Sequence, residues 1–329
     1  MVDRSNSAVR LRRLRRTDGL RRLVRETRLD ASSFMAPIFV RSGTGVIESV
    51  GAMPGVNRYS LDMLGGYVKR LSDSGVGSVL LFGLPESKDD MGTRAYESNG
   101  IIPRAIVEIK RAVPSMVVAA DVCLCEYTSH GHCGVVKEGR VDNDMTLPLL
   151  GRAAVEYARA GADIVAPSAM MDFQVAAIRD ALSEAGLAET IVMGYSAKFT
   201  SSFYGPFREA AGSAPSFGDR KAYQMSGANQ REALREIQAD IDEGADIIMV
   251  KPALSYLDVI ARARSRFDLP IAAYNVSGEY SMIMAAGANG WVDTRSVAME
   301  VLTSIRRAGA DIVITYFAEA AASWLREER

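Results

Sequence analysis

A parallel (β/α)8 barrel of the TIM type, preceded by an N-terminal extended and helical arm, is the fold class that this 329-residue sequence predicts. Three observations carry the prediction. Eight short apolar runs alternate with amphipathic helical stretches from residue 34 onward. The runs are near-continuous rather than alternating, as parallel strands buried on both faces require. One helix-to-strand joint, Gly-Ala-Asp followed by two aliphatic residues, occurs three times, beginning at Gly161, Gly244 and Gly309. Eight such units close naturally into a barrel, and a doubly wound open sheet is the alternative arrangement.

The first segment is the arm, residues 1–33, read as an oligomerisation element. Residues 1–30 carry ten arginines against four acidic residues, a balance of +6, which leaves −7 on residues 31–329 of a chain whose net charge is −1. A basic arm on an acidic body favours association between copies of the chain. Nucleic acid is the rival partner, but the arm has no aromatic residue for base stacking, and Leu11, Leu14, Leu20, Leu23, Val24 and Leu29 read as packing residues. The expectation is a homo-oligomer without a nucleic-acid partner. No apolar run approaches membrane-spanning length, and the opening residues lack the apolar core of a secretory signal, so a cytoplasmic protein with no membrane partner is expected.

The remainder, 34–329, reads as one catalytic barrel, since barrels of this kind exceed the average domain length. Its strands are expected at 34–40, 78–83, 116–124, 163–168, 191–198, 246–251, 270–277 and 311–316. Helical patterns such as 152–160 and 230–241 separate them. Ser60 or Asp62 suits the start of a helix before Leu64, and Gly161, Gly186, Gly244 and Gly309 sit where helices should end. Between the fifth strand and the next clear helix lies a segment, 199–229, rich in Gly, Ser, Pro and aromatic residues; connections of this length in compact domains are commonly lids.

Active sites of the barrel fold lie at the C-terminal ends of the strands. Those ends offer the stretch from Asp121 to Cys125 on the third strand, Ser168 on the fourth, Lys198 on the fifth, Lys251 on the sixth, Ser277 on the seventh and Tyr316 on the eighth. Lysine is scarce, seven against thirty-two arginines, yet two of the seven close apolar strands. A lysine there is costly to charge, and a neighbouring cation lowers its pKa further, toward the free amine that attacks a carbonyl. The alternative is a lysine whose tip reaches solvent at the barrel mouth. In the lid, Arg208 and Arg220 suit a carboxylate, which a guanidinium can clamp through two parallel bonds; solvent-facing arginines are the bland alternative.

All three cysteines and both histidines of the chain fall within residues 123–133. If the segment is extended, Cys123 and Cys125 face one side, and Cys133 returns through a turn at Gly131. Three thiolates suit zinc. Nothing marks the chain as secreted, and three cysteines leave one unpaired, which argues against a disulfide. A structural site completed by His130 or His132 and a catalytic site with an open fourth position remain the two readings. Carbonyl-seeking lysines, carboxylate-seeking arginines and a Lewis-acid metal together suggest keto-acid condensation or cleavage.

The run Asp121-Val-Cys-Leu-Cys-Glu-Tyr-Thr-Ser-His-Gly-His-Cys-Gly134, with Gly194-Tyr-Ser-Ala-Lys198-Phe, Phe203-Tyr-Gly-Pro-Phe-Arg208, Met249-Val-Lys-Pro252 and Tyr274-Asn-Val-Ser-Gly-Glu279, closely resembles the porphobilinogen synthase (5-aminolaevulinate dehydratase) family of zinc-cysteine type. The resemblance spans the chain from the arginine-rich arm to Phe317. It implies a hydro-lyase of porphyrin and haem biosynthesis that condenses two 5-aminolaevulinate molecules into porphobilinogen with loss of two waters. By motif position, Lys251 would form a Schiff base with the substrate supplying the propionate side, and Lys198 with the one supplying the acetate side. Ser277 and Tyr316 would hold the first carboxylate, and Arg208 and Arg220 the second. Cys123, Cys125 and Cys133 would bind a catalytic zinc, with Asp121 a proton carrier or orienting group. The resemblance also implies a homo-octamer in which the arm wraps a neighbouring barrel, and an allosteric magnesium at Glu236. Two departures stand out. Glu126 follows the second cysteine, where zinc-dependent members often have proline. Ala222 stands where some animal members have a further cysteine, so a second zinc site of that kind is not expected.

Overall fold

The structure is a computed structural model that describes residues 9–327. The arm contains a short 3-10 turn over Leu11–Arg15 and helix α1, Asp18–Leu23, started by the Thr17 side chain accepting from the Leu20 amide. β1 then runs over Phe34–Arg41, followed by a small hairpin of β2, Ile47–Ser49, and β3, Asn57–Ser60. Next come α2 (Leu61–Ser74), β4 (Ser78–Leu84), α3 (Ile101–Ala112), β5 (Val117–Val122) and a two-residue-strand hairpin of β6 (Val136–Lys137) and β7 (Arg140–Val141). The chain continues through α4 (Asn143–Arg159), β8 (Ile164–Pro167), α5 (Gln174–Glu184), β9 (Ile191–Lys198), α6 (Gly205–Ala210), α7 (Gln230–Asp242) and β10 (Ile247–Lys251). It closes with α8 (Leu257–Arg266), β11 (Ile271–Asn275), α9 (Ser277–Ala288), α10 (Thr294–Ala308), β12 (Ile312–Thr315) and α11 (Ala318–Glu327).

Eight parallel strands follow the order β1-β4-β5-β8-β9-β10-β11-β12, and β12 pairs back onto β1. The sheet is therefore a closed barrel, and the open-sheet alternative is excluded. β1 pairs with β12 at Phe34 and Met35 and with β3 at Phe39 to Arg41, so the β2–β3 hairpin attaches to the C-terminal mouth of the barrel. Near-continuous aliphatic strands leave almost every strand residue buried, as expected when side chains fill the barrel on one face and meet helices on the other.

The repeated Gly-Ala-Asp joint has a physical explanation. Gly161, Gly244 and Gly309 have φ of +102°, +98° and +122°, a region that favours glycine. The aspartate two residues on then clasps the start of a neighbouring strand. Asp163 accepts from the Val118 amide at 2.7 Å, Asp246 from Val192 at 2.8 Å and Asp311 from Ile271 at 2.9 Å. Each carboxylate also meets a base from a nearby helix, respectively Lys110, Arg179 and Arg264. The motif thus ends a helix and sets the register of the next strand.

Several boundaries differ from the sequence reading. The third strand stops at Val122, so Cys123 and Cys125 lie in a turn closed by the Leu124 carbonyl, which accepts from the amides of Tyr127 and Thr128. The seventh stops at Asn275, which makes Ser277 the first residue of α9 rather than a strand end. Tyr316 lies just past β12. Segment 199–229 contains a 3-10 turn over Ser202–Tyr204 and helix α6 with Pro206 in its first turn, a position where proline's missing amide costs nothing. No helix among the described residues is long and apolar enough to cross a membrane.

Candidate active site

The register of β9 and β10 sets Lys198 directly beside Lys251. Paired positions of parallel neighbours project to the same face, and both side chains enter the barrel mouth, each only 5% exposed. The alternative of lysines reaching solvent is excluded. Lys198 Nζ donates to the Ser168 carbonyl at 2.7 Å. Lys251 Nζ is surrounded by aromatic faces, 4.1 Å from the ring centre of Tyr274, 5.0 Å from Tyr195, 5.1 Å from Phe207 and 5.5 Å from Tyr204. Burial, followed by the charge of Lys198, lowers the Lys251 pKa from 10.5 to about 7, against the pull of Asp121 and Glu126. The result is an amine that is substantially unprotonated near neutrality, as nucleophilic attack on a carbonyl requires.

Asp121 on β5 accepts from Ser168 Oγ at 2.9 Å, while its Oδ1 is buried without a protein partner. Burial raises its pKa and the two lysines oppose that rise. Asp121 is therefore well placed to exchange a proton inside the pocket.

The cysteines converge, though not by the extended geometry expected of the segment. Cys123 and Cys125 Sγ are 3.4 Å apart in the turn, and Cys133 returns through Gly131, whose φ is +71°. The three sulfurs lie within 4.8 Å of one another and are buried. Tetrahedral zinc with sulfur at about 2.3 Å spaces its ligands by about 3.8 Å, so the donor set fits such an ion. Hydrogen bonds from Cys123 and Cys125 hold Cys133 well below the usual thiol range, and burial pushes Cys123 up. Glu126 is buried alongside, its Oε2 3.3 Å from Cys125 Sγ, with burial lifting its pKa to about 7.

The histidines do not join the sulfurs. His132 is bonded through Nδ1 to Tyr223 Oη and through Nε2 to the Phe217 carbonyl, both at 3.0 Å. His130 Nε2 meets the Asp90 carbonyl at 3.2 Å, and its Nδ1 accepts from the His132 amide. Both rings are engaged in fastening the cysteine loop to its surroundings, which removes the fourth ligand that a structural Cys3His site needs.

Further polar groups come from the start of α9, from β11, from the residue after β12 and from segment 199–229. Ser277 Oγ accepts from the Phe207 amide at 3.0 Å and donates to the Phe203 carbonyl at 3.1 Å, while Tyr316 and Tyr274 share a hydroxyl hydrogen bond of 3.2 Å. Arg208 stands on α6. Arg220 is buried, its Nη2 donating to the carbonyls of Gly131 at 2.9 Å and Ser213 at 2.6 Å, so it is not a solvent-facing arginine. The Nε groups of both arginines are buried without a protein partner. An unpaired buried guanidinium donor is costly and suits an anionic ligand. Gln224 joins these groups although the sequence does not point to it. Its amide oxygen and nitrogen are both buried without a protein partner, and no sequence signal distinguishes it from a surface glutamine.

Glu236 lies apart from the lysines and sulfurs, on α7. It lines a cavity of about 790 Å³ together with Asp172, Glu232, Asp240 and Gln224. Burial, then Asp172 and Glu232, raises its pKa.

Residues 8–324 match the family model for delta-aminolevulinic acid dehydratase. The delta-aminolevulinic acid dehydratase of Synechococcus elongatus is 55% identical over 320 residues, covering 96% of this chain and 98% of that protein. That of Bacillus subtilis is 54% identical over 323 residues, covering 98% and 100%. A crystal structure of delta-aminolevulinic acid dehydratase (porphobilinogen synthase) from Toxoplasma gondii ME49, in complex with the reaction product porphobilinogen, superposes with a TM-score of 0.96 at 44% identity, covering 98% of this chain and 93% of that one.

Proposed function

This chain belongs to the delta-aminolevulinic acid dehydratase family, and we propose that it condenses two molecules of 5-aminolaevulinate into porphobilinogen through Schiff bases on Lys251 and Lys198. The observation that carries the residue assignment is the adjacency of two buried lysines, one beside the other across β9 and β10, with Lys251 brought to a pKa of about 7. Each lysine amine adds to the ketone carbon of one substrate and expels one water, leaving an imine. The new carbon–carbon bond forms at the carbon held by Lys251, and the new carbon–nitrogen bond at the carbon held by Lys198. Each bond displaces its lysine as an amine, so two waters leave and both lysines are returned. Asp121, bonded to Ser168 Oγ, carries protons between these steps.

Ser277 and Tyr316 bind the carboxylate of the first substrate, and Arg208 and Arg220 that of the second; the unpaired Nε groups of the two arginines support the second assignment. Cys123, Cys125 and Cys133 would hold zinc, which supplies Lewis acidity beside the second substrate. In this reading residues 1–33 are the arm, 34–329 the catalytic barrel and about 199–229 its lid, in a cytoplasmic enzyme; residues 1–8 and 328–329 lie outside the described residues.

Assembly as a homo-octamer is part of the same reading. Val9, Leu11, Leu14, Leu23 and Val24 are exposed on the arm, Leu11 at 70% and Leu23 at 75%, an apolar face that a neighbouring barrel would cover. Magnesium at Glu236 is supported by the crowding of carboxylates around it, which a hard, hydrated cation would relieve. Light scattering and activity assays with and without Mg2+ on the wild type, Glu236→Ala and an arm deletion test both points. An assembly unchanged by the deletion, or a Mg2+ response unchanged in Glu236→Ala, would contradict them.

The experiment for the function itself is incubation with 5-aminolaevulinate as sole substrate, scored for a pyrrole. Pyrrole should form, stop on treatment with a zinc chelator and return with zinc. Failure to form pyrrole in the zinc-loaded protein would sink the proposal.

A further inference from the structure

The lid helix α6 has six residues. A helix this short has few bonds of its own; the amides of Ala211, Ser213 and Gly212 in the turn that follows bond back to the carbonyls of Phe207, Arg208 and Glu209, and side chains from elsewhere complete the end of the helix. Those side chains are basic: Arg58 holds the last two carbonyls of the helix, and Lys88 and Arg220 hold the turn just beyond it. Arg58 on β3 donates Nε to the Ala210 carbonyl at 2.7 Å and Nη2 to the Glu209 carbonyl at 2.6 Å. Lys88 Nζ reaches the Gly212 carbonyl at 2.5 Å, and Arg220 Nη2 the Ser213 carbonyl at 2.6 Å. The Arg58 guanidinium is itself aimed by Glu48 on β2, which also pairs with Arg41 at the end of β1. In the reverse direction, Glu209 Oε1 accepts from the Ala52 amide at 3.3 Å. The hairpin between β1 and α2 is thus joined to α6 at two points, Arg58 on β3 and Ala52 in the loop that connects β2 to β3.

What α6 carries gives this joint a consequence. Phe207 is one of the rings around Lys251 Nζ, and its amide is bonded to Ser277 Oγ. Arg208 follows it. A tilt of α6 moves the aromatic wall, the serine contact and the guanidinium together.

We propose that Arg58 is a positioning residue for the condensation, a two-pronged cap that holds α6, and with it Phe207 and Arg208, over the lysine pocket. This rests on the roles assigned above to Lys251 and Arg208. Two parallel bonds from a planar guanidinium fix both the position and the direction of the helix end, whereas an ammonium in the same place supplies one point of attachment. Without Arg58 the closed lid is a smaller fraction of the population, and substrate binding must draw it shut. The loss therefore falls on KM more than on kcat at saturation.

The test compares Arg58→Ala and Arg58→Lys with the wild type in the full-length, zinc-loaded protein. Four measurements are made: steady-state kinetics with 5-aminolaevulinate, thermal melting, amide hydrogen exchange over residues 203–213, and borohydride trapping of substrate with peptide mapping. Arg58→Ala should raise KM about tenfold while kcat stays within about threefold, with melting little changed and exchange over 203–213 accelerated. Arg58→Lys should fall between the two, and all three proteins should yield the adduct on Lys251 at saturating substrate. Unchanged KM with unchanged exchange would overturn the proposal, as would a loss of kcat matched by a loss of global stability, or an Arg58→Lys protein no better than Arg58→Ala. If the wild type gives no lysine adduct, the lysine assignment fails and the proposal fails with it; an adduct in the wild type with unaltered kinetics in Arg58→Ala refutes the cap alone.

Discussion

Replacing Lys198 with methionine should make Lys251 harder to deprotonate. The substitution keeps an unbranched side chain of similar length in the buried position but removes the charge that stands second, after burial, among the causes lowering the Lys251 pKa from 10.5 to about 7. At pH 7 that lowering raises the free-amine fraction from about one in three thousand to about one half, three orders of magnitude in available nucleophile. Losing the Lys198 charge should return about one pH unit or more, about 1.4 kcal/mol per unit. Turnover is not a usable readout, because Lys198 is itself assigned to the reaction. The assay is borohydride trapping of 5-aminolaevulinate on Lys251, quantified by mass spectrometry across a pH series. The wild-type midpoint should lie near 7, and that of Lys198→Met should move upward. A wild-type midpoint near that of a solvated lysine, or a downward movement in the variant, would refute the reasoning. The same lowering has a stability consequence. Between pH 7 and 10.5 the unfolded chain holds a proton on this lysine that the folded chain lacks, so the lysine makes stability rise with pH through that window and imposes its full cost below it.

Alanine at any one of Cys123, Cys125 or Cys133 should remove most activity and bound zinc while far-ultraviolet circular dichroism and the melting transition stay close to wild type; unfolding before loss of activity would mark the metal as structural. Asp246→Asn should lower stability by about 1–2 kcal/mol, seen as a drop of a few degrees in melting temperature, because the Val192 amide loses its charged acceptor and Arg179 its ion-pair partner while keeping the Gly244 and Thr190 carbonyls, with activity at low temperature retained. Gly131→Ala should cost about 1–3 kcal/mol and raise KM. Its φ is +71° and an added Cβ would stand 2.3 Å from the Ala214 carbonyl oxygen, forcing apart the cysteine loop and the lid segment that carries Arg220. Normal melting and normal KM in that variant would contradict the close packing of loop and lid.

The barrel was legible because its signals are redundant. Strand residues such as 247–250 are apolar without a break, and the Gly-Ala-Asp joint combines a left-handed glycine with an aspartate that must reach a neighbouring amide, so local sequence and tertiary contact agree. The lysines were legible because a cation at the end of such a strand is conspicuous, and the cysteines because the chain has only three. Other features left weaker marks. The β2–β3 hairpin is short and polar, and its role depends on carbonyls about 150 residues away. Gly205-Pro206 falls in segment 199–229, where the sequence shows no clear helix, yet proline in a first helical turn starts α6. The rings around Lys251 come from positions 195, 204, 207 and 274, four places with no common spacing. Cys123 and Cys125 converge through a turn that period-two reasoning does not describe, and the histidines beside them are drawn off by Tyr223, Phe217 and Asp90.

The central claim, that the two adjacent lysines carry the substrates as imines, is tested most directly by reducing the wild-type enzyme with borohydride in the presence of 5-aminolaevulinate at neutral pH and mapping the modified peptides. A substrate-derived mass increment on Lys251, with Lys198 as a second site, is the predicted result. Adducts confined to exposed lysines such as Lys221, or none on either strand-end lysine, would contradict it.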